Sequence, residues 1–170
     1  ELINDINEMT AMLNSYVSFV RGEAPETIEN INLKNLIKNI CLSNISKLHD
    51  INNNCKEEIK TSGRPLQIKR AIQNIIDNSK RYSSKINLEM EVINEECLIS
   101  ISDNGPGIPE KNYEDVFKPF FTLDPSRNKL KGESGLGMTI ARDIIRSHGG
   151  EIKLTKSNIG GLKTIINLPL

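Results

Sequence analysis

Tryptophan is absent from the chain, and the aromatic residues that remain, four Phe and three Tyr, make up 4% of it. Any core must therefore be built from aliphatic side chains. Charge of one sign is not in excess, because 22 Lys and Arg stand against 22 Asp and Glu in 170 residues. With no polybasic run, that balance supplies no field to gather phosphate backbones, so no nucleic-acid partner is expected. The three cysteines, Cys41, Cys55 and Cys97, are odd in number and share no CxxC spacing. Neither a disulfide framework nor a zinc knot fits them, and a reducing compartment is expected. Long apolar runs are missing too: the stretch Tyr16-Val17-Ser18-Phe19-Val20 is broken within a few residues, far short of the ~20 that span hydrocarbon. The chain starts at Glu1 without Met or a basic-then-apolar leader. It reads as a soluble fragment, one globular domain plus a small appendage, whose natural N-terminus lies upstream.

What is present is strongly periodic. Leu2, Ile6, Met9, Leu13, Tyr16 and Val20 alternate spacings of four and three, the heptad seam of a helix that needs a partner. Gly22 and Pro25 end it, which divides the chain into a bundle helix over 1–23, a linker over 24–31 and a folded domain over 32–170. From Leu33, the apolar positions Leu36, Ile37, Ile40 and Cys41 predict a second helix, and Asn52-Asn53-Asn54 predicts a turn. Gly63-Arg64-Pro65 opens a third helix with a stripe of Ile68, Ala71, Ile72, Ile75 and Ile76. A period of two then predicts a hairpin from Ile86–Val92 and Cys97–Ile101. A Gly- and Pro-rich segment follows, with one short helix at Pro109–Phe117, and reads as a lid over about 109–134. A helix over Leu136–His148 and two closing strands about Gly160-Gly161 complete the pattern. The expected fold is α/β (α+β): a two-layer sandwich of a mixed, mostly antiparallel sheet with about three helices on one face.

Three groups of residues carry chemistry. Period two places Asp103 on the same inward face as Ile99 and Ile101, so a carboxylate aims into the core and needs a donor, for which a ligand amino group is suited. Gly105 and Gly107 after it permit close approach of a planar ligand. Asn74 and Asn78 stack four apart on one helix face; their neutral oxygens suit Mg²⁺ carrying water and phosphate, and Arg81 one turn later suits phosphate. Gly135-Leu136-Gly137 lies at a helix start, where free N–H groups attract anions. Each group has a plain structural explanation when taken alone: a turn, a solvated helix face, a packing glycine.

Taken together and in this order, they resemble the catalytic and ATP-binding domain of sensor histidine kinases of the EnvZ type, within the superfamily that also holds gyrase, Hsp90 and MutL. The resemblance covers residues 33–170. The N box is similar to Gln67–Tyr82, the glycine boxes to Asp103–Gly107 and Gly135–Gly137, and the F box to Phe117–Phe121. It implies a Bergerat-type ATP-binding fold, with ATP and Mg²⁺ as cofactors. By resemblance, Asn74 holds Mg²⁺, Asn78 lines the phosphates, Arg81 contacts them, Tyr82 stacks on adenine and Asp103 accepts the adenine amino group. Gly105, Gly107, Gly135 and Gly137 admit the ligand, with Ile108, Ser134 and Leu136 beside them. Phe117 and Phe120 anchor the lid, from which Arg127 reaches the terminal phosphate. Glu133-Ser134 stands where the family often has Gly-Thr, implying a stiffer and more acidic hinge.

The resemblance also implies a reaction. ATP-hydrolysing members of the superfamily carry a Glu at the place of Asn74, and an amide is no base for water, so transfer to another nucleophile is the expected activity. His49 and His148 are the two histidines, and neither sits in an H-[ED]-x-x-x-P motif. The acceptor histidine is therefore expected upstream of Glu1. Implied partners are a cognate response regulator and a second copy, the homodimer forming through the helix bundle. The implied setting is the cytoplasmic domain of an inner-membrane sensor. Two alternatives stand beside this: a protein-serine kinase of the anti-sigma type, and a nucleotide-sensing module without transfer.

Overall fold

The computed structural model describes residues 26–44, 49–123 and 135–170. The seam over 1–23, the first two residues of the linker, Arg127 and Ser134 lie outside the described residues.

Asn32 closes one element and opens the next. It ends strand β1 (Glu29–Asn32), and its side chain accepts the Asn35 N–H at 3.1 Å as the N-cap of helix α1 (Leu33–Ser43). The last residues of the expected linker are thus a strand, paired antiparallel with β3 (Lys60–Gly63). A four-residue edge strand with one buried apolar residue, Ile31, has too little pattern to be legible without its partner.

The asparagine run differs from expectation for the same reason. Strand β2 (Asp50–Asn53) runs parallel to β4 (Lys85–Ile93), and Asn52 reaches across to Asn87 at 3.3 Å. The turn starts only beyond it, where the Asn53 side chain accepts the Cys55 N–H at 3.0 Å.

Helix α2 (Pro65–Tyr82) leads into the hairpin of β4 and β5 (Glu96–Asp103), joined through Asn94 and Glu95 at φ 51° and 64°. Instead of one short helix over Pro109–Phe117, two 3₁₀ turns form, Glu110–Asn112 and Asp115–Phe117. Two local restraints break the helix there: Asn112 bonds Asp115 at 3.3 Å, and the Phe117 carbonyl is taken by the Thr139 hydroxyl at 2.9 Å. Helix α3 (Gly137–Ser147) ends where Gly149, at φ 77°, and Gly150 return N–H groups to Arg146 and Ile145. Strands β6 (Glu151–Lys156) and β7 (Leu162–Pro169) complete a mixed, mostly antiparallel five-stranded sheet of order β2-β4-β5-β7-β6.

Helices α1, α2 and α3 cover one face of that sheet. Leu33, Ile37, Ile40, Ile68, Ile72, Ile75, Ile76 and Ile145 pack on Ile86, Leu88, Ile99, Ile101 and Ile166, all fully buried. Each such side chain contributes about 1.5–3 kcal/mol of burial. The free thiols of Cys41, Cys55 and Cys97 lie in the same core, and burial pushes Cys55 up to about 11 and Cys97 up to about 12. They serve as small hydrophobes. No helix among the described residues is long and apolar enough to cross a membrane.

Candidate functional site

Asp103 ends β5 with 5% of its surface exposed. Oδ1 accepts the Gly105 N–H at 2.9 Å and the Leu162 N–H at 3.1 Å. The protein thus satisfies one oxygen of the carboxylate by itself, with two backbone donors. Oδ2 makes no hydrogen bond among the described residues. The wall beside Oδ1 is glycine for steric reasons. A Cβ on Gly161 would overlap Asp103 Oδ1 and stand 2.5 Å from Gly105 N, and a Cβ on Gly105 would come within 2.9 Å of the Tyr82 carbonyl. Gly107, at φ 71°, faces the Gly161 carbonyl. Ile108 next to it is half-buried.

Gly161 and the Leu162 N–H are site elements that sequence reasoning took for a plain turn. Gly160 alone carries the positive φ of that turn, so the second glycine of the pair was the available signal. It is there for proximity rather than for backbone conformation.

Helix α2 supplies the other wall. Asn74 and Asn78 are half-buried on it, Arg81 and Tyr82 exposed at its end. Asn74 Nδ2 is buried with no hydrogen-bond partner, and Gly137, the first residue of α3, lies against it, a Cβ there coming 3.9 Å from Asn74 Cβ. The N box and the second glycine box, distant in sequence, are therefore side by side. Gly135, at φ 62°, lies against the Phe120 backbone, whose N–H donates to the Gly135 carbonyl at 3.1 Å. Leu136 between the two glycines is buried and accepts the Ile140 N–H. Of the two aromatic residues assigned to the lid, Phe117 is buried beneath the Arg142 guanidinium, 4.2 Å from the ring centre, with Arg142 paired to Glu114 at 3.0 Å. Phe120 is 52% exposed at φ 63°.

The donor set fits a nucleotide with a hydrated cation. Oδ2 of Asp103 is an acceptor suited to an exocyclic amino group. The buried end of Asn74 is incomplete, and a carboxamide can turn either its nitrogen to a phosphate oxygen or its oxygen to Mg²⁺. Among the described residues no cluster of three His, Cys, Asp or Glu is placed to hold a metal. A cation here would rest on the amide and on the phosphates themselves.

The histidines do other work. His148 Nδ1 lies 2.7 Å from the Ile144 carbonyl, so it donates, and Nε2 accepts the Arg64 N–H at 3.1 Å. Both ring nitrogens are used within the fold. His49 Nε2 donates to the Lys80 carbonyl at 2.9 Å.

Comparison with known proteins covers the span that holds these residues. Residues 63–170 match the family model described as "Histidine kinase-, DNA gyrase B-, and HSP90-like ATPase". The chain is 40% identical over 108 residues to the sensor histidine kinase GtrS of Pseudomonas aeruginosa, covering 63% of this chain and 22% of that protein. It is 37% identical over 109 residues to the sensor histidine kinase CpxA of Escherichia coli, covering 64% and 24%. It thus spans less than a quarter of the length of these curated relatives. Among solved structures it is similar to the nucleotide-free catalytic domain of histidine kinase ThkA, with a TM-score of 0.71, 27% identity and coverage of 84% of this chain and 95% of that one. The mycobacterial sensor histidine kinase MprB shares the fold with a TM-score of 0.73 at 24% identity, over 84% of this chain and 97% of that one. With its two glycine boxes and N box inside the matched span, the chain belongs to the histidine kinase-, DNA gyrase B- and HSP90-like ATPase family.

Proposed function

We propose that this chain is the ATP-binding catalytic part of a sensor histidine kinase, transferring the γ-phosphate of ATP to a histidine outside the described residues and so feeding a response regulator. The observation that carries the reading is the divided state of Asp103: one oxygen held by two backbone N–H groups and packed against Gly105 and Gly161, the other without a donor among the described residues. In this reading Oδ2 accepts the adenine amino group and Tyr82 stacks on the ring. Asn78 and Arg81 orient the phosphates, and Asn74 holds Mg²⁺ in place. Gly105, Gly107, Gly135 and Gly137 keep the backbone close, with Ile108, Ser134 and Leu136 beside them. Phe117 roots the lid on α3, Phe120 stands at its start, and Arg127 reaches the terminal phosphate. Bound ATP supplies the phosphoryl group and Mg²⁺ neutralises its charge. The amide of Asn74 has no basicity with which to activate water, which supports transfer over hydrolysis. Residues 1–23 would belong to the dimerisation helix of a homodimer, and the whole protein would be an inner-membrane sensor with this part in the cytoplasm. The names of the relatives support the reaction class.

The test is an ATP titration with and without Mg²⁺, followed by transfer to a supplied histidine-bearing acceptor helix. Expected results are tight Mg²⁺-dependent binding, loss of that dependence in Asn74→Ala, and an acid-labile label on the acceptor. An acid-stable label, or a label on His49 or His148 of the chain itself, overturns the reading.

A further inference from the structure

Asn104 follows β5 and is exposed, yet both ends of its side chain are committed to one loop. Oδ1 accepts the N–H groups of Ser84 at 3.1 Å and Lys85 at 2.9 Å, and Nδ2 donates to Ser84 Oγ at 3.2 Å. Its own N–H donates to the Lys85 carbonyl at 3.2 Å. Ser83 and Ser84 are the whole connection between α2 and β4. That connection has no slack, because Ser83 is itself tied back to the Ser79 carbonyl through N–H at 3.0 Å and Oγ at 2.8 Å.

What Asn104 holds together are two halves of the site. On one side is the end of α2, with Tyr82. On the other is Asp103-Asn104-Gly105, where the Tyr82 carbonyl sits so close to Gly105 that a Cβ there would come within 2.9 Å of it. Exposed hydrogen bonds of this kind contribute little to stability, since water replaces the lost partner. Their effect is geometric: they fix the spacing between Tyr82 and the free oxygen of Asp103. Discrimination between a base that presents an amino group and one that presents a carbonyl depends steeply on that spacing, because hydrogen bonds weaken within a few tenths of an ångström and a few tens of degrees of their optimum. The phosphate end of the site is built from other parts, Asn74, Asn78 and the start of α3.

We propose that Asn104 is a positioning residue that sets the gap between Tyr82 and Asp103 and thereby the selectivity for the purine base. It acts through Ser84 and Lys85 and touches no ligand. The inference rests on the nucleotide reading above and deepens it by naming what tunes base choice.

The experiment measures ATP and GTP affinity, by displacement of a fluorescent ATP analogue, for the 170-residue chain and its Asn104→Ala, Asn104→Asp and Ser84→Ala variants. In Asn104→Ala the ATP-to-GTP preference is expected to narrow about tenfold, ATP weakening while GTP stays unchanged. Asn104→Asp keeps an oxygen for both backbone N–H groups and accepts the Ser84 hydroxyl, so it restores the preference to within about twofold. Ser84→Ala, which deletes one bond, narrows it about twofold. An unmoved preference in Asn104→Ala overturns the inference, as does an equal fall of both nucleotides in the Ala and Asp variants. Should circular dichroism show Asn104→Ala unfolded, Ser84→Ala decides, an unchanged preference overturning it. Failure of the unaltered chain to bind ATP sinks the nucleotide reading itself, and this one inference with it.

Discussion

Helices α2 and α3 run antiparallel, and the two places where they meet use polar residues in opposite ways. Where α3 ends and α2 begins, polar groups are spent on one another. His148 joins the Ile144 carbonyl to the Arg64 N–H, and Arg64 Nη2 bonds Ser147 Oγ at 2.9 Å. Glu26 accepts the Leu66 and Gln67 N–H groups at 2.6 and 3.2 Å, capping a helix whose own N-cap, Arg64, makes no side-chain cap bond. Arg64 Nε is the buried side-chain atom left over there among the described residues. Where α3 begins beside the middle of α2, the pattern differs: Asn74 Nδ2 is buried and unpartnered with Gly137 against it, and across the site Asp103 has both its described donors on one oxygen. Unsatisfied buried groups are costly, and beside the glycines a ligand has room to complete the one on Asn74. A histidine at the first place and an asparagine at the second, each ambiguous in sequence, thus differ in what surrounds them.

The comparison can be broken by substitution, and Gly161→Ala carries the largest expected effect. Its Cβ has no space beside Asp103 and Gly105, so stability should fall by about 3 kcal/mol in urea unfolding; a variant as stable as the parent would show that the glycine wall is not close-packed. Asp103→Asn comes next. The amide oxygen still serves Gly105 and Leu162, but the open end becomes a donor facing a donor, so calorimetry should show ATP affinity reduced about 10- to 100-fold with the fold intact.

His148→Ala sharpens the contrast from the closed end. It should lower stability by about 1–3 kcal/mol by orphaning the Arg64 N–H, while ATP affinity stays within about twofold. A loss of affinity matching that of Asp103→Asn would erase the distinction between the two places. The smallest effect concerns the core thiols. Burial raises Cys55 and Cys97 from 9.0 to about 11 and about 12, so the unfolded chain ionises first as pH rises. The stability owed to neutral thiols is intact below 9.0 and lost from there through about 11 and 12. Native protein at neutral pH should resist iodoacetamide, with labelling appearing only on unfolding.

Much of this was legible in the chain before folding. The isoleucine stripe of α2, the alternation in β4 and β5 and the glycine stop after α3 each repeat a local pattern often enough to fix element and face. The inward aim of Asp103 followed from period two alone. The short strands did not announce themselves: β1 and β2 have few apolar residues and owe their conformation to β3 and β4, which satisfy their backbone groups. Likewise, the donors to Asp103 come from Gly105 and Leu162, and the second of these is the product of a remote turn that no local pattern connects to β5.

The sequence by itself determined which residues of the long elements face inward, where α2 and α3 start, and which side chains are chemically able to hold a nucleotide, because periodicity, caps and functional groups are properties of a few neighbouring residues. Tertiary structure alone decided which of those groups are already satisfied and which stay open. Whether Asn74 or His148 finds a partner depends on what α3 brings beside α2, and that is settled only when the helices pack together on one face of the sheet.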